Sequence, residues 1–388
     1  MRHWWLVVAL AGAGCNQILG IDDLTTIELD AGRDAVATND GRPIDSPAGQ
    51  LCAMLVRPAR CFSPPPMGAI TIEGPLDTDA DIRCVVVPAT NGPTACAIVG
   101  DTITVPAAGA KLTGSRPLLL LATTSITITG PLDASSTIAT TPRTGPGAST
   151  NPADCGQPQP SGGQDGGGGG AGGTFTTKGG DGGNGAGNQS GDGAIATNPI
   201  TTLVLHAGCR GTAGARQNNG AGGDGGGVIY LVAGMSITIA NRVTANGAAG
   251  SGATTGEAGG GGGGSGGMIV FEAPTVTLMG AGEVSANGGG GGEGTIDTTG
   301  RKGNESTVWN VAASGGNGGS NGGGGGGDGS VAASGGTNAV NGATVGAGDG
   351  GGGGGGGGAG LIWLQGSLAG TQPPPISPPA IAPPALPQ

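Results

Sequence analysis

The sequence predicts an all-β fold: a parallel β-solenoid with long glycine-rich loop insertions and partly disordered termini. Three observations lead there. First, a unit of three strand-length runs recurs in one order. Met268-Ile-Val-Phe271, Val276-Thr-Leu278 and Val284-Ser-Ala286 repeat Val228-Ile-Tyr-Leu-Val232, Ser236-Ile-Thr-Ile239 and Val243-Thr-Ala245. The runs are short, alternate with period two and are rich in β-branched residues, which suits strands rather than helices. Second, 93 of 388 residues are glycine without a Gly-X-Y period, yet only 11% are charged. Neither collagen nor a charged disordered chain has that composition. Third, a unit of this size cannot bury its own apolar face and must stack on a neighbour. The inward set is then Ile229, Leu231, Ile237, Ile239 and Val243, matched by Ile269, Phe271, Val276, Leu278 and Val284.

Residues 1–14 have the layout of a secretory signal peptide: a basic head at Arg2, an apolar run Trp4–Ala11, then small residues before Cys15. The apolar run is shorter than the ~20 residues a membrane-spanning helix needs. Gly12-Ala13-Gly14-Cys15 resembles the lipobox of bacterial lipoproteins, although Gly12 stands where those carry leucine. That resemblance implies lipidation of Cys15 and a membrane partner through the acyl chains. Asn16, in place of aspartate, implies the outer membrane. Secretion without lipid, with Cys15 an incidental thiol, is the alternative.

Residues 15–50 read as a flexible acidic tether. Residues 51–160 carry the first solenoid coils and most of the later cysteines. In 161–370 the glycine tracts, such as Gly259–Gly267 and Gly350–Gly360, read as low-complexity loops between strands. Ile70-Thr-Ile-Glu-Gly-Pro-Leu-Asp77 and Ile126-Thr-Ile-Thr-Gly-Pro-Leu-Asp133 are near-identical copies, and Thr202–Leu205 is a partial one. The proline-rich tail, 371–388, cannot join a central strand and reads as an extended strap or a loose end.

The net charge of −11 and the absence of basic stripes argue against nucleic acid as a partner. Cys52, Cys61, Cys84, Cys96, Cys155 and Cys209 form an even set in an exported chain, which favours three disulfides over metal ligation. Fifteen connectivities are formally open. Proximity favours Cys52–Cys61, Cys84–Cys96 and Cys155–Cys209. His206, three residues before Cys209, reads as a strand-end residue, and no cofactor is implied.

Catalytic signals are weak. Ser265 and Ser320 sit in G-x-S-x-G matches that glycine abundance produces by chance. Asp165, Asp181, Asp192, Asp224, Asp328 and Asp349 lie among glycines without a calcium-repeat register and read as solvated loop acids. Asp77 and Asp133 recur at one register beside Arg83 and Arg116, the nearest approach to a constellation, and read as turn-forming aspartates. Glu272 reads as an outward scaffold position.

Gly14-Cys-Asn-Gln-Ile-Leu-Gly-Ile-Asp-Asp23, Gly114-Ser-Arg-Pro-Leu118, Ala207-Gly-Cys-Arg-Gly211 and Gly266-Gly-Met-Ile-Val-Phe-Glu-Ala-Pro274 together resemble uncharacterised glycine-rich lipoproteins of the myxobacterial type. The likeness to PE-PGRS proteins is compositional only. The resemblance implies a cell-envelope location. The expected function is a structural, adhesive or surface-display role without catalysis, with envelope or extracellular polysaccharide as a partner. The alternative is a carbohydrate-active enzyme, a polysaccharide lyase or hydrolase, on the same scaffold.

Overall fold

Apolar β-branched residues at alternate positions build the strands. The computed structural model describes residues 51–382, apart from 57–58, 64–66, 90–91, 139–140, 149–152, 203 and 319–321. The expected signal peptide, the whole of the tether with Cys15, and Ser320 lie outside the described residues.

The first elements, β1 (Leu51–Ala53) and β2 (Arg60–Phe62), form an antiparallel pair bridged by Cys52–Cys61. Next come β3 (Ala69–Thr71), β4 (Gly74–Asp77), β5 (Val85–Val87), β6 (Ala95–Val105), β7 (Ala110–Thr113), β8 (Leu118–Ile128) and β9 (Leu132–Asp133). After a long interval follow β10 (Val228–Ala233), β11 (Ser236–Ile239), β12 (Arg242–Thr244), β13 (Met268–Leu278) and β14 (Glu283–Ser285). The last are the short hairpin β15 (Thr344–Val345) and β16 (Gly348–Asp349), then β17 (Leu361–Gly370) and β18 (Ile376–Ser377).

Two sheets contain most of these. A six-stranded, wholly parallel sheet runs β18-β14-β12-β9-β7-β4. An eight-stranded sheet joins β3, β6, β8, β10, β11, β13 and β17 in parallel, with β5 antiparallel on β6. The apolar core lies between them. Ile229 pairs with Ile269, Leu231 with Phe271, Ile237 with Val276, Ile239 with Leu278 and Val243 with Val284, all buried in one cluster. A second cluster, including Tyr230, Val270 and Trp363, covers the opposite face of the larger sheet.

The expected parallel β-solenoid with glycine loop insertions is corrected by three findings. Within the larger sheet, β8, β10, β13 and β11 close a ring of parallel pairings, each bonded to the next and β11 back to β8. Runs expected to be separate strands are continuous: β6, β8 and β13 each span 11 residues, with register shifts at Gly100/Thr102 and Glu272/Thr275. Antiparallel pairs also occur, at β1–β2 and β5–β6. Period-two alternation identifies strands but carries no information about whether successive runs are continuous. The described residues of Thr202–Leu205 lie in no strand.

The glycines, moreover, are not loops. Gly167, Gly170 and Gly173 donate their amides to the carbonyls of Glu257, Gly260 and Gly263 at 2.8–2.9 Å. Gly260, Gly263 and Gly266 donate to Gly352, Gly355 and Gly358, which donate back to Gly167, Gly170 and Gly173. Three rows therefore close a hydrogen-bonded triangle that repeats every three residues. Three residues per turn and no internal hydrogen bonds define a polyproline II helix, so each row satisfies its amides only through neighbours. Successive residues bond different rows: Gly169 and Gly172 donate to Gly183 and Gly180 at 2.8 and 2.9 Å. The packing leaves no room for a side chain. A Cβ added at Gly263 would lie 2.0 Å from the Gly289 carbonyl oxygen, and one at Gly354 2.0 Å from that of Gly261.

The rows continue into the sheets without a break, at Gly227–Val228, Gly267–Met268 and Gly360–Leu361. Of the acids expected to be solvated, Asp192 and Asp328 are exposed and Asp165, Asp181, Asp224 and Asp349 half-buried, and three of them also cap row backbone. Asp328 accepts the amide of Gly315, Asp165 that of Gln189 and Asp181 that of Ala196, each at 2.8 Å. The proline-rich tail, described through residue 382, covers two sheet edges: β18 pairs with β14, and Ile381 bridges to Trp363 on β17.

Candidate functional site

The outward face of the six-stranded sheet carries a groove of about 570 Å³, within the range of small-ligand pockets. Because side chains alternate faces along a strand, burying Leu132 and Val243 turns Asp133 and Thr244 outward. Register places Pro75, Lys111, Asp133 and Thr244 side by side on β4, β7, β9 and β12. Pro75, Ala108, Gly109, Ala110 and Pro131 add an apolar strip, and Glu305, Ser306 and Thr307 form the opposite wall. That wall is held by Asn246 Nδ2 on the Ser306 carbonyl at 3.3 Å and Asn287 Nδ2 on that of Trp309 at 2.9 Å.

Charges in the groove are unequally engaged. Asp133 receives Arg143 Nη2 at 2.5 Å and Thr244 Oγ1 at 2.8 Å. Glu305 accepts the Ile138 amide at 2.5 Å. Arg242 lies 3.7 Å from Glu283 and reaches the Thr307 carbonyl at 3.5 Å. Burial raises the Glu283 carboxyl above its usual range, and Arg242 offsets only part of that. Lys111 is exposed, and its side chain has no ion pair or hydrogen bond among the described residues.

Asp77 and Asp133, read as turn-forming aspartates, each cap a turn two residues on, through the amides of Asp79 and Ser135 at 2.9 and 3.0 Å, and they form no constellation with Arg83 and Arg116. The copies align through Ile70 and Ile126, but the link from Ile72 to β4 is two residues shorter than that from Ile128 to β9. Asp77 therefore falls beside Thr113, whereas Asp133 falls beside Lys111. Arg83 pairs with Asp81 at 2.6 Å, and the side-chain hydrogen bonds from Arg83 hold that carboxyl below its usual range. Arg116 faces Asp79 at 3.6 Å. Sequence reading also missed Arg143 and the Glu305–Thr307 wall, which reach the groove from distant parts of the chain.

The disulfides are Cys52–Cys61, Cys84–Cys96 and Cys155–Cys209. Cys155, His206 and Cys209 bring ligand-type atoms within 4.8 Å of one another. That spacing would suit a metal only with both thiols free, and here the sulfurs are joined. His206 is buried off any strand, stacked on Phe175 with ring centroids 4.7 Å apart. Its Nδ1 contacts the Ala207 carbonyl at 2.5 Å and its Nε2 contacts Asp154 at 2.9 Å. The Nε2 contact ties the 3-10 turn Ala153–Cys155 to the His206 segment. Ser265 is also buried: its hydroxyl accepts the Cys209 amide at 2.8 Å, leaving no strand-to-helix elbow around it.

Glu272 faces away from the inter-sheet core, as expected, but is only 2% exposed beneath the second apolar cluster. Tyr230 donates its hydroxyl to Glu272 Oε2 and accepts the Met54 amide at 3.2 Å. Burial, then the Glu272 charge, pushes the phenol well above its usual range, so it remains a proton donor. The pair ties the β1–β2 hairpin to the sheet. Tyr230→Phe is expected to lower stability by about 1–3 kcal/mol, read as a lower urea midpoint; an unchanged midpoint would show that the hydroxyl contributes nothing.

Fold and groove together define a disulfide-bonded all-β protein with glycine-row packing and an open polar cleft. The chain matches no protein-family model, curated protein or solved structure in the comparisons made.

Proposed function

We propose that this chain is a cell-envelope lipoprotein with a structural or adhesive role, in which the glycine rows form a stiff body that presents the outward sheet face. The supporting observation is the closed triangle of rows, whose amides are bonded from row to row and whose glycine positions, such as Gly263 and Gly354, leave no room for a Cβ. Such packing resists bending because every neighbour would have to shift together. Three disulfides fit an oxidising compartment. Lipid on Cys15 anchors the chain to the outer membrane, in line with its resemblance to myxobacterial glycine-rich lipoproteins.

Asp133 and Glu305 in one groove favour a second reading, a polysaccharide lyase or hydrolase. Against it, both carboxylates are committed, Asp133 to Arg143 and Thr244 and Glu305 to the Ile138 amide, which leaves neither poised for proton transfer. Metabolic labelling with an acyl probe is expected to mark the wild type and not Cys15→Ser, with the variant leaving the membrane fraction. Unlabelled wild-type protein, or a variant that stays in the membrane fraction, would end the anchor reading.

A further inference from the structure

We propose that the groove across β4, β7, β9 and β12 binds a single strand of an acidic polysaccharide, with Lys111 and Arg242 receiving its carboxylates. This deepens the adhesive reading and rests on it, but not on the lipid anchor. The chain has only 15 basic residues and a net charge of −11, yet Lys111, Arg143 and Arg242 line this one groove. Arg143 is neutralised by Asp133 at 2.5 Å. The Lys111 side chain has no partner among the described residues, and Arg242 is held loosely, by Glu283 at 3.7 Å and the Thr307 carbonyl at 3.5 Å. The groove's three basic side chains outnumber the two carboxylates that line it, Asp133 and Glu305, so an anion meets less repulsion here than over the acidic chain as a whole.

The arrangement of the face suits a sugar chain. Parallel strands lie about 4.8 Å apart, a step comparable to one pyranose unit. A chain crossing the strands therefore meets one outward side chain per unit: Pro75, Lys111, Asp133, then Thr244. Pyranose rings have apolar faces and hydroxyl edges. Pro75, Ala108 and Pro131 offer apolar contact, while Ser306 and Thr307 offer hydroxyls on the opposite wall. Lys111 and Arg242 lie on β7 and β12, two strand steps apart, so they meet carboxylates on non-adjacent units. No bond is made or broken; the site holds its ligand by charge-assisted hydrogen bonds.

The test uses the full chain in detergent and titration calorimetry. Its probes are short oligomers of galacturonic, mannuronic and glucuronic acid, the neutral galactose oligomer and an oligoglutamate peptide of equal charge. At least one oligouronate is expected to bind saturably, and the neutral oligomer not to. Lys111→Ala should weaken binding about tenfold, Lys111→Arg should restore most of it, and Lys178→Ala, on a distant glycine row, should change nothing. Failure of all three oligouronates would overturn the proposal. So would equal binding of the neutral sugar or the peptide, or a Lys111→Ala variant that binds as the wild type does. Acyl labelling of Cys15 is independent of these outcomes, so the anchor and the ligand fail separately.

Discussion

Gly263→Ala is expected to destabilise the protein by about 1–3 kcal/mol or more, out of the roughly 5–15 kcal/mol that holds an ordinary domain folded. The physical reason is distance. The added methyl would sit 2.0 Å from the Gly289 carbonyl oxygen, and that oxygen belongs to backbone that is itself packed on both sides. Backbone cannot rotate away as a flexible side chain can. The cost spreads: moving row 288–294 disturbs the amides of Gly289 and Gly292, which donate to Gly264 and Gly261 at 2.9 and 2.8 Å. Gly162→Ala provides the control, since a Cβ there meets nothing nearer than 3.9 Å, and its effect should stay within about 0.5 kcal/mol. Urea midpoints of the two variants decide the matter. If both lie at the wild-type midpoint, the rows are not packed as described.

Removing the Cys155–Cys209 bridge should cost more than removing either of the others. It closes a separation of 54 residues, against 9 and 12 for Cys52–Cys61 and Cys84–Cys96. Chain entropy then assigns it about 4 kcal/mol, and the short loops about 2.5–3 kcal/mol each. The long bridge also holds Asp154 within 2.9 Å of His206 Nε2, so its loss frees the 3-10 turn from the row. Paired alanine substitutions, Cys155→Ala with Cys209→Ala and Cys52→Ala with Cys61→Ala, should give urea midpoints in that order. The reverse order would show that the 54-residue interval is already held by its glycine rows when the disulfide is absent.

Much of the strand architecture was legible. The inward residues Ile229 to Val243 and their partners Ile269 to Val284 follow from alternation, since a one-residue slip would turn every one of them out of the inter-sheet core. The disulfide pairs favoured by proximity are the ones the structure contains. The candidate site was half legible. Asp133 stood out, but as a copy of Asp77, and the two-residue difference in their preceding links separates them in register. Nothing local to Arg143 or Glu305 announced a groove, because what unites them with Lys111 is parallel pairing between strands far apart in the chain.

Glycine composition was the point of greatest divergence. A chain-local view treats glycine as entropy and therefore as loop. The rows are ordered because successive amides bond different neighbouring rows and every third one returns to the same row, a benefit invisible until the rows are side by side. Local alternation and cysteine spacing thus established strands, their inward faces and the bridges, because these depend on short-range geometry. The ring of β8, β10, β13 and β11, the glycine triangle and the cleft around Lys111 arose from tertiary packing, because each depends on which distant backbones come within hydrogen-bonding reach.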